Sequence, residues 1–280
     1  MKTRTETRTI CLTGCASGIG RQLATDLYRL GHRIVALDVD ESAMREHGRT
    51  HWPDASRVEI LRHDVREAER WEQVLDRAEQ RFGRVDVLMN VAGYLVARWA
   101  HETSVADVGL TIDVNVKGVI FGTNAAARRM LRSGSGQIVN VASVAGIAPI
   151  PGIAVYSASK HAVRGFSLAV SEELRPHGVV VSVVCPGPVD TPMLDVQLPR
   201  DEAALTFSAA RPLRVEEVSQ AIIEKALLGR QLEVIIAAPR SGQTLLPKLA
   251  GALPGLLRTV RPLLTKTGRR HQDELRRARR

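Results

Sequence analysis

The chain has 280 residues, 44% of them hydrophobic and 25% charged, with a formal net charge of +9. That length supplies the core of one large domain, and no apolar run reaches the roughly 18 residues a spanning helix needs, which argues against a transmembrane anchor. Ser241 to Arg280 carry +8 of the charge, so the basic balance belongs to the C-terminal segment and gives no reason to expect nucleic acid on the body.

Met1 to Thr9 is polar and carries no signal-peptide pattern. Cys11, Cys15 and Cys185 sit in or beside apolar runs without metal-ligand spacing. They read as buried, reduced thiols of a cytoplasmic protein, with no metal expected.

The predicted elements begin with a strand at Ile10–Thr13, which runs into Thr13-Gly14-Cys15-Ala16-Ser17-Gly18-Ile19-Gly20. Glycines let the backbone turn tightly and approach a pyrophosphate, and the following helix N-terminus offers free N–H groups and a positive dipole end. The spacing is Gly-xxx-Gly-x-Gly, not the more general Gly-x-Gly-x-x-Gly. A second strand, Arg33–Asp38, ends on a carboxylate 18 residues beyond Gly20. A carboxylate there accepts hydrogen bonds from the adenosine ribose and repels a 2′-phosphate, favouring NAD over NADP. A solvated loop Asp is the competing reading, since Asp40 and Glu41 follow. After a third strand, Val58–His63, Asp64 either meets an adenine amino group or caps a helix beginning near Arg66.

Trp71, Val74, Leu75, Ala78 and Phe82 form one helical stripe. Strands follow at Val85–Asn90, Gln137–Ala142, Val179–Cys185 and Leu232–Ala237, with a second stripe at Val163, Phe166, Val170 and Leu174. The strand runs are near-continuous rather than alternating, as in parallel strands buried on both faces. Regular βα alternation therefore predicts a doubly wound parallel sheet of about seven strands, in a single domain over 7–240 with a tail at 241–280.

Tyr156 and Lys160 lie four residues apart and share a helix face. With the glycine turn at 13–20, Asp64, Asn90-Val91-Ala92-Gly93, Asn115, Ser143 and Cys185-Pro186-Gly187, they appear in an order that resembles the short-chain dehydrogenase/reductase family over about residues 7 to 238. The resemblance implies a Rossmann-type fold, a nicotinamide cofactor, no metal, and a tetramer or dimer. It makes Tyr156 the acid/base, with Lys160 lowering its pKa and binding the nicotinamide ribose. Ser143 polarises the substrate oxygen, so Ser143 and Tyr156 are also the substrate contacts, and Asn115, placed in a helix, anchors a water beside Lys160. Gly14, Ser17, Gly18, Ile19, Gly20, Asp38, Asp64, Val65, Asn90, Ala92, Gly93 and Pro186 line the cofactor by the same resemblance, and Val189 and Thr191 meet the carboxamide. Val91 departs from the family's usual second Asn.

Three stretches are expected around the substrate: Tyr94, Leu95, Val96 and Trp99; Val144, Ala145, Ile147, Ile150, Pro151 and Ile153; and Met193, Leu194, Leu198 and Phe207, within a mobile lid spanning 193–212. Their apolar character suggests a hydrophobic secondary alcohol or ketone such as a steroid, terpenoid, retinoid or fatty alcohol. Arg98 and Arg200, the nearest cations, read as solvated. An NADPH-linked ketoacyl reductase and a non-catalytic dinucleotide sensor are the other readings of this pattern. In the tail, Pro247, Pro254 and Pro262 are expected to prevent one long helix. Short basic amphipathic helices on an anionic membrane, a subunit arm and a disordered end are its three readings.

Overall fold

The structure is a computed structural model that describes residues 6–238, 251 and 254–279. All seven expected strands form: β1 (Thr9–Thr13), β2 (Arg33–Asp38), β3 (Val58–Arg62), β4 (Val87–Asn90), β5 (Gly136–Val141), β6 (Val179–Pro186) and β7 (Glu233–Ile236). They make one parallel sheet in the order β3-β2-β1-β4-β5-β6-β7. Ile10 of β1 pairs with Ile34 on one side and Val87 on the other, so the chain reverses its direction of winding between β1 and β4. Ligands of such sheets bind at this switch, beyond the carboxyl ends of the strands.

The helices α1 (Gly18–Arg29), α2 (Glu41–His51) and α8 (Val215–Ala221) cover one face, where Leu23, Leu27, Met44 and Val218 join Ile10, Leu12 and Ile34 in one apolar cluster. The opposite face is covered by α3 (Arg70–Phe82), α5 (Gly118–Ser133) and α6 (Ala154–Leu174). The Trp71 stripe packs there with Ala126, Met130, Val170 and Leu174. Burial on both faces explains the unbroken Val, Ile and Leu runs.

Between α4 (Val105–Ile112) and α5 the helix widens into one π turn, Asp113–Lys117, where an ordinary helix was expected around Asn115. The segment expected as a lid holds the short helix α7 (Pro192–Asp195) and a 3-10 stretch, Asp201–Ser208. Above it lies a 25-residue helix, α9 (Pro254–Ala278), with Pro262 inside it. This corrects the expectation that the prolines divide the tail. Pro254 sits at the first position, where its missing N–H is no loss. Pro262 removes one internal hydrogen bond, and the docking of the following four turns on the 3-10 stretch offsets that loss. Pro247 lies outside the described residues. No helix among the described residues is long and apolar enough to cross a membrane.

Candidate active site

A cleft of about 400 Å³ opens at the ends of β1, β2, β3 and β4, and Ser17, Ile19, Asp38, Val65 and Ala92 are among its walls. At its floor, Gly14 has φ 78° and Gly20 packs on it so closely that a Cβ at Gly20 would collide with the Gly14 carbonyl. Ser17 is the N-cap of α1 but its side chain accepts no backbone hydrogen bond, leaving the first-turn N–H groups of Gly18 and Ile19 to face the cleft. This is a cradle for a pyrophosphate.

Asp38 lines the same cleft. Its carboxylate accepts hydrogen bonds from the Ala16 N–H (3.0 Å) and the Asp40 N–H (3.1 Å), so it is tied to the glycine turn and is more than a solvated loop residue. Asp64 caps no helix at Arg66: it closes a turn through the Arg66 N–H, and α3 begins only at Arg70. The Arg66 guanidinium, hydrogen-bonded to both Asp64 oxygens, holds that carboxyl below its usual range.

One residue here carried no sequence signal. His63 is 1% exposed, its ring sits edge-on to Trp71 at 4.5 Å, and neither ring nitrogen has a partner. Burial pushes its pKa down to about 4. The glycine cradle and the Asp38 carboxylate together make the residues present fit an adenine dinucleotide.

Thr13 was also missed as an individual contributor. Its Oγ1 accepts from the Val91 and Ala92 N–H groups, both at 3.0 Å, and so fixes the β4 turn where the second Asn is replaced. Asn90 does not line the cleft. Its Nδ2 donates to Asn140 Oδ1 (2.8 Å) and Thr123 Oγ1 (3.2 Å) in a buried network behind it.

Beyond the cleft a smaller chamber, about 100 Å³, is bounded by Gly93, Ser143, Tyr156, Lys160, Pro186, Val189 and Thr191. The π turn brings Asn115 under it: Oδ1 accepts from the Tyr94 N–H (2.7 Å), and Nδ2 donates to the Tyr94 carbonyl (2.8 Å) and to Ser159 Oγ (3.0 Å). Ser143 follows β5 and accepts from the Ala145 N–H (3.1 Å). Lys160 Nζ donates to the Val141 carbonyl (2.9 Å) and lies 5.6 Å from the centre of the Tyr156 ring. Burial pushes the Tyr156 phenol up to about 12, against a lowering hydrogen bond from Ser143, and pushes Lys160 down to about 8. Desolvation is thus the largest influence on the Tyr156 phenol, ahead of its Ser143 hydrogen bond.

Leu95, Ala145, Ile150, Ile153, Met193 and Leu194 give the chamber its apolar wall, and the unanticipated Gln197 and Thr206 add polar atoms. Trp99 is 43% exposed and, like Arg98 and Arg200, does not line it.

Comparison with known proteins agrees with this geometry. The family model for short chain dehydrogenase matches residues 8–202. A 2-(R)-hydroxypropyl-CoM dehydrogenase of Xanthobacter autotrophicus is 35% identical over 199 residues, 70% of this chain and 80% of that protein. A diacetyl reductase, (S)-acetoin forming, of Staphylococcus epidermidis is 30% identical over 227 residues, 81% and 86% of the two chains. The crystal structure of a short-chain dehydrogenase/reductase from Burkholderia phymatum in complex with NAD superimposes with a TM-score of 0.80 at 28% identity, covering 90% of this chain and 96% of that one. A glycine cradle at the switch point, a tyrosine and a lysine one turn apart beside it, and this matched length agree on one conclusion: the chain belongs to the short-chain dehydrogenase/reductase family and is an NAD(P)-dependent oxidoreductase.

Proposed function

We propose that the chain interconverts a short, apolar secondary alcohol and its ketone with NAD. The observation that carries this reading is the convergence of Ser143, Tyr156 and Lys160 on one small, largely apolar chamber at the end of the dinucleotide cleft. NAD is favoured by the Asp38 carboxylate on the cleft wall. The apolar wall of Leu95, Ala145, Ile150, Ile153 and Met193 suits an apolar alcohol or ketone, and we narrow the expected class from steroids, terpenoids, retinoids and fatty alcohols to short members. Two relatives, one named for a hydroxypropyl group and one for acetoin, support the same narrowing.

A nicotinamide held in the cleft would supply the hydride acceptor in one direction and the hydride donor in the other. In the oxidative direction Tyr156 Oη takes the alcohol proton while the Ser143 hydroxyl holds the substrate oxygen. In the reductive direction Tyr156 returns it. Lys160 keeps positive charge beside the phenolate, since burial alone opposes that anion. Asn115 fixes the Tyr94 backbone and Ser159, so it supports the wall next to Lys160. A homo-oligomer in the cytoplasm completes the proposal, and light scattering of the purified chain reads its oligomeric state.

A second reading, an NADPH-linked ketoacyl reductase, rests on Arg66, a cation on the same cleft wall, although Asp64 already pairs with it. The test is turnover of a 2-alkanol series with NAD and with NADP, followed at the nicotinamide absorbance. NAD-linked turnover of the short members is expected, with kcat falling about 10²- to 10⁴-fold in Tyr156→Phe. Unchanged activity in that variant rejects the mechanism, and a preference for NADP rejects the cofactor assignment.

A further inference from the structure

The C-terminal helix α9 presents Gly268, His271, Gln272, Leu275, Arg276 and Arg279 along one stripe with helical spacing, and that stripe meets the substrate side of the molecule. At Gly268 the backbones touch so closely that a Cβ would collide with the Ala204 carbonyl. His271 Nδ1 lies 3.1 Å from the Phe207 carbonyl and 2.9 Å from the Ala209 carbonyl. Both partners only accept, so this nitrogen carries the proton. Arg276 donates to the Leu198 carbonyl (2.7 Å) and pairs with Asp201 (2.7 Å), and Arg279 pairs with Asp190 and Asp195.

Gln272 is the centre of this contact. It is 1% exposed, and the two N–H groups of its Nε2 are shared among the carbonyls of Gln197 (3.2 Å), Leu198 (2.9 Å) and Arg200 (2.8 Å). Two of these carbonyls also accept from the backbone, Gln197 from the Arg200 N–H (3.1 Å) and Arg200 from the Ala203 N–H (3.1 Å), so the amide adds a second donor that ties them to α9. The residue so held is part of the chamber: Gln197 Oε1 accepts from Thr206 Oγ1 (2.9 Å), its Nε2 donates to the Met193 carbonyl (3.3 Å), and all three side chains line the wall. The Gln272 amide, buried at the middle of this contact, thus ties α9 to the backbone from which the outer wall of the chamber projects.

We propose that Gln272 is a positioning residue for substrate selection: it holds the 193–208 segment inward and thereby sets the largest alcohol the chamber admits. The inference deepens the proposed function and rests on the chamber being the substrate site. The segment expected to be a mobile lid is, on this account, strapped down by a helix of its own chain.

The test uses the full chain and Gln272→Ala. Hydrogen exchange should be about tenfold faster at amides 193–208 in the variant, the scale of losing a side-chain tether between the segment and α9, and unchanged at the 13–20 turn. Across a 2-alkanol series, the kcat/KM ratio of long to short members should rise about tenfold, through a lower KM for the long ones, with kcat for the short ones and KM for NAD retained. Unchanged exchange overturns the positioning claim. Faster exchange with an unchanged ratio, or an equal loss on every alcohol, overturns the claim on size. Should Gln272→Ala fail to fold, Arg276→Ala, at the partly exposed edge of the same contact, is judged by the same two measurements and should shift both in the same direction. If the wild-type chain turns over no alcohol, the proposed function fails, while the exchange measurement still decides whether Gln272 holds the wall.

Discussion

Lys160 is 2% exposed and its ammonium rests on the Val141 carbonyl, 5.6 Å from the centre of the buried Tyr156 ring. Both side chains are thereby pushed toward their neutral forms, the phenol upward and the ammonium downward. Identity and spacing of this pair were legible in the chain. Their resting protonation was not, because desolvation depends on what the fold stacks over them. Asp38 was legible for a different reason: it ends a strand that must open on the switch point. Its two backbone hydrogen bonds were not legible. Asp38→Ala should raise the kcat/KM of NADP relative to NAD by about tenfold or more, by removing a like charge from the 2′-phosphate position. Steady-state kinetics with both cofactors checks this, and an unchanged ratio would remove Asp38 from the selection of cofactor.

Arg129 on α5 shows what joins one element to the next. Its side chain is 10% exposed and meets Glu72, Asp76 and Glu79, three carboxylates one turn apart on α3. The burial of one guanidinium among partly exposed acids makes this more than a surface pair. Arg129→Ala should lower stability by about 1–2 kcal/mol in denaturant titrations, and part of the loss should disappear in high salt. Activity on short alcohols should be retained, since the pair lies away from the chamber. The helical stripes themselves were readable from periodicity. Departures from regular helix were not. The π turn at Asp113–Lys117 is held by Asn115 reaching the Tyr94 backbone, 21 residues away in sequence. The passage of α9 through Pro262 depends on contacts with residues some 70 positions earlier. Local propensity gave the opposite answer there because tertiary docking outweighs one missing hydrogen bond.

Over the whole molecule, the pH dependence of stability above the carboxylate range follows in part from histidines buried in neutral form. The pKa of His63 is lowered from 6.5 to about 4 by burial, so between those values the unfolded chain binds the proton that the folded chain refuses. Its stabilisation is complete above pH 6.5 and is lost as pH falls toward 4, with a magnitude of up to about 3 kcal/mol. His47, less buried, is lowered in the same direction. In His63→Phe the ring against Trp71 is kept and both unpartnered nitrogens are removed. Denaturant titrations at pH 7 and pH 4.5 should show a smaller loss on acidification in this variant than in the wild type, and an equal loss would assign the acid sensitivity elsewhere.

The sequence by itself determined the seven-stranded parallel sheet, the glycine turn, and the order and spacing of Asn115, Ser143, Tyr156 and Lys160, because these follow from short-range rules: strand burial, φ freedom and helical pitch. Tertiary structure alone decided the size of the chamber, the resting charge of the Tyr156–Lys160 pair, the unpartnered state of His63 and the docking of the basic tail on the substrate wall. Each of these depends on desolvation or on contacts between residues distant in the chain. The Tyr156–Lys160 spacing was therefore readable from one helix face, whereas Gln272 acquired a role only when the last helix folded back over residues 197–200.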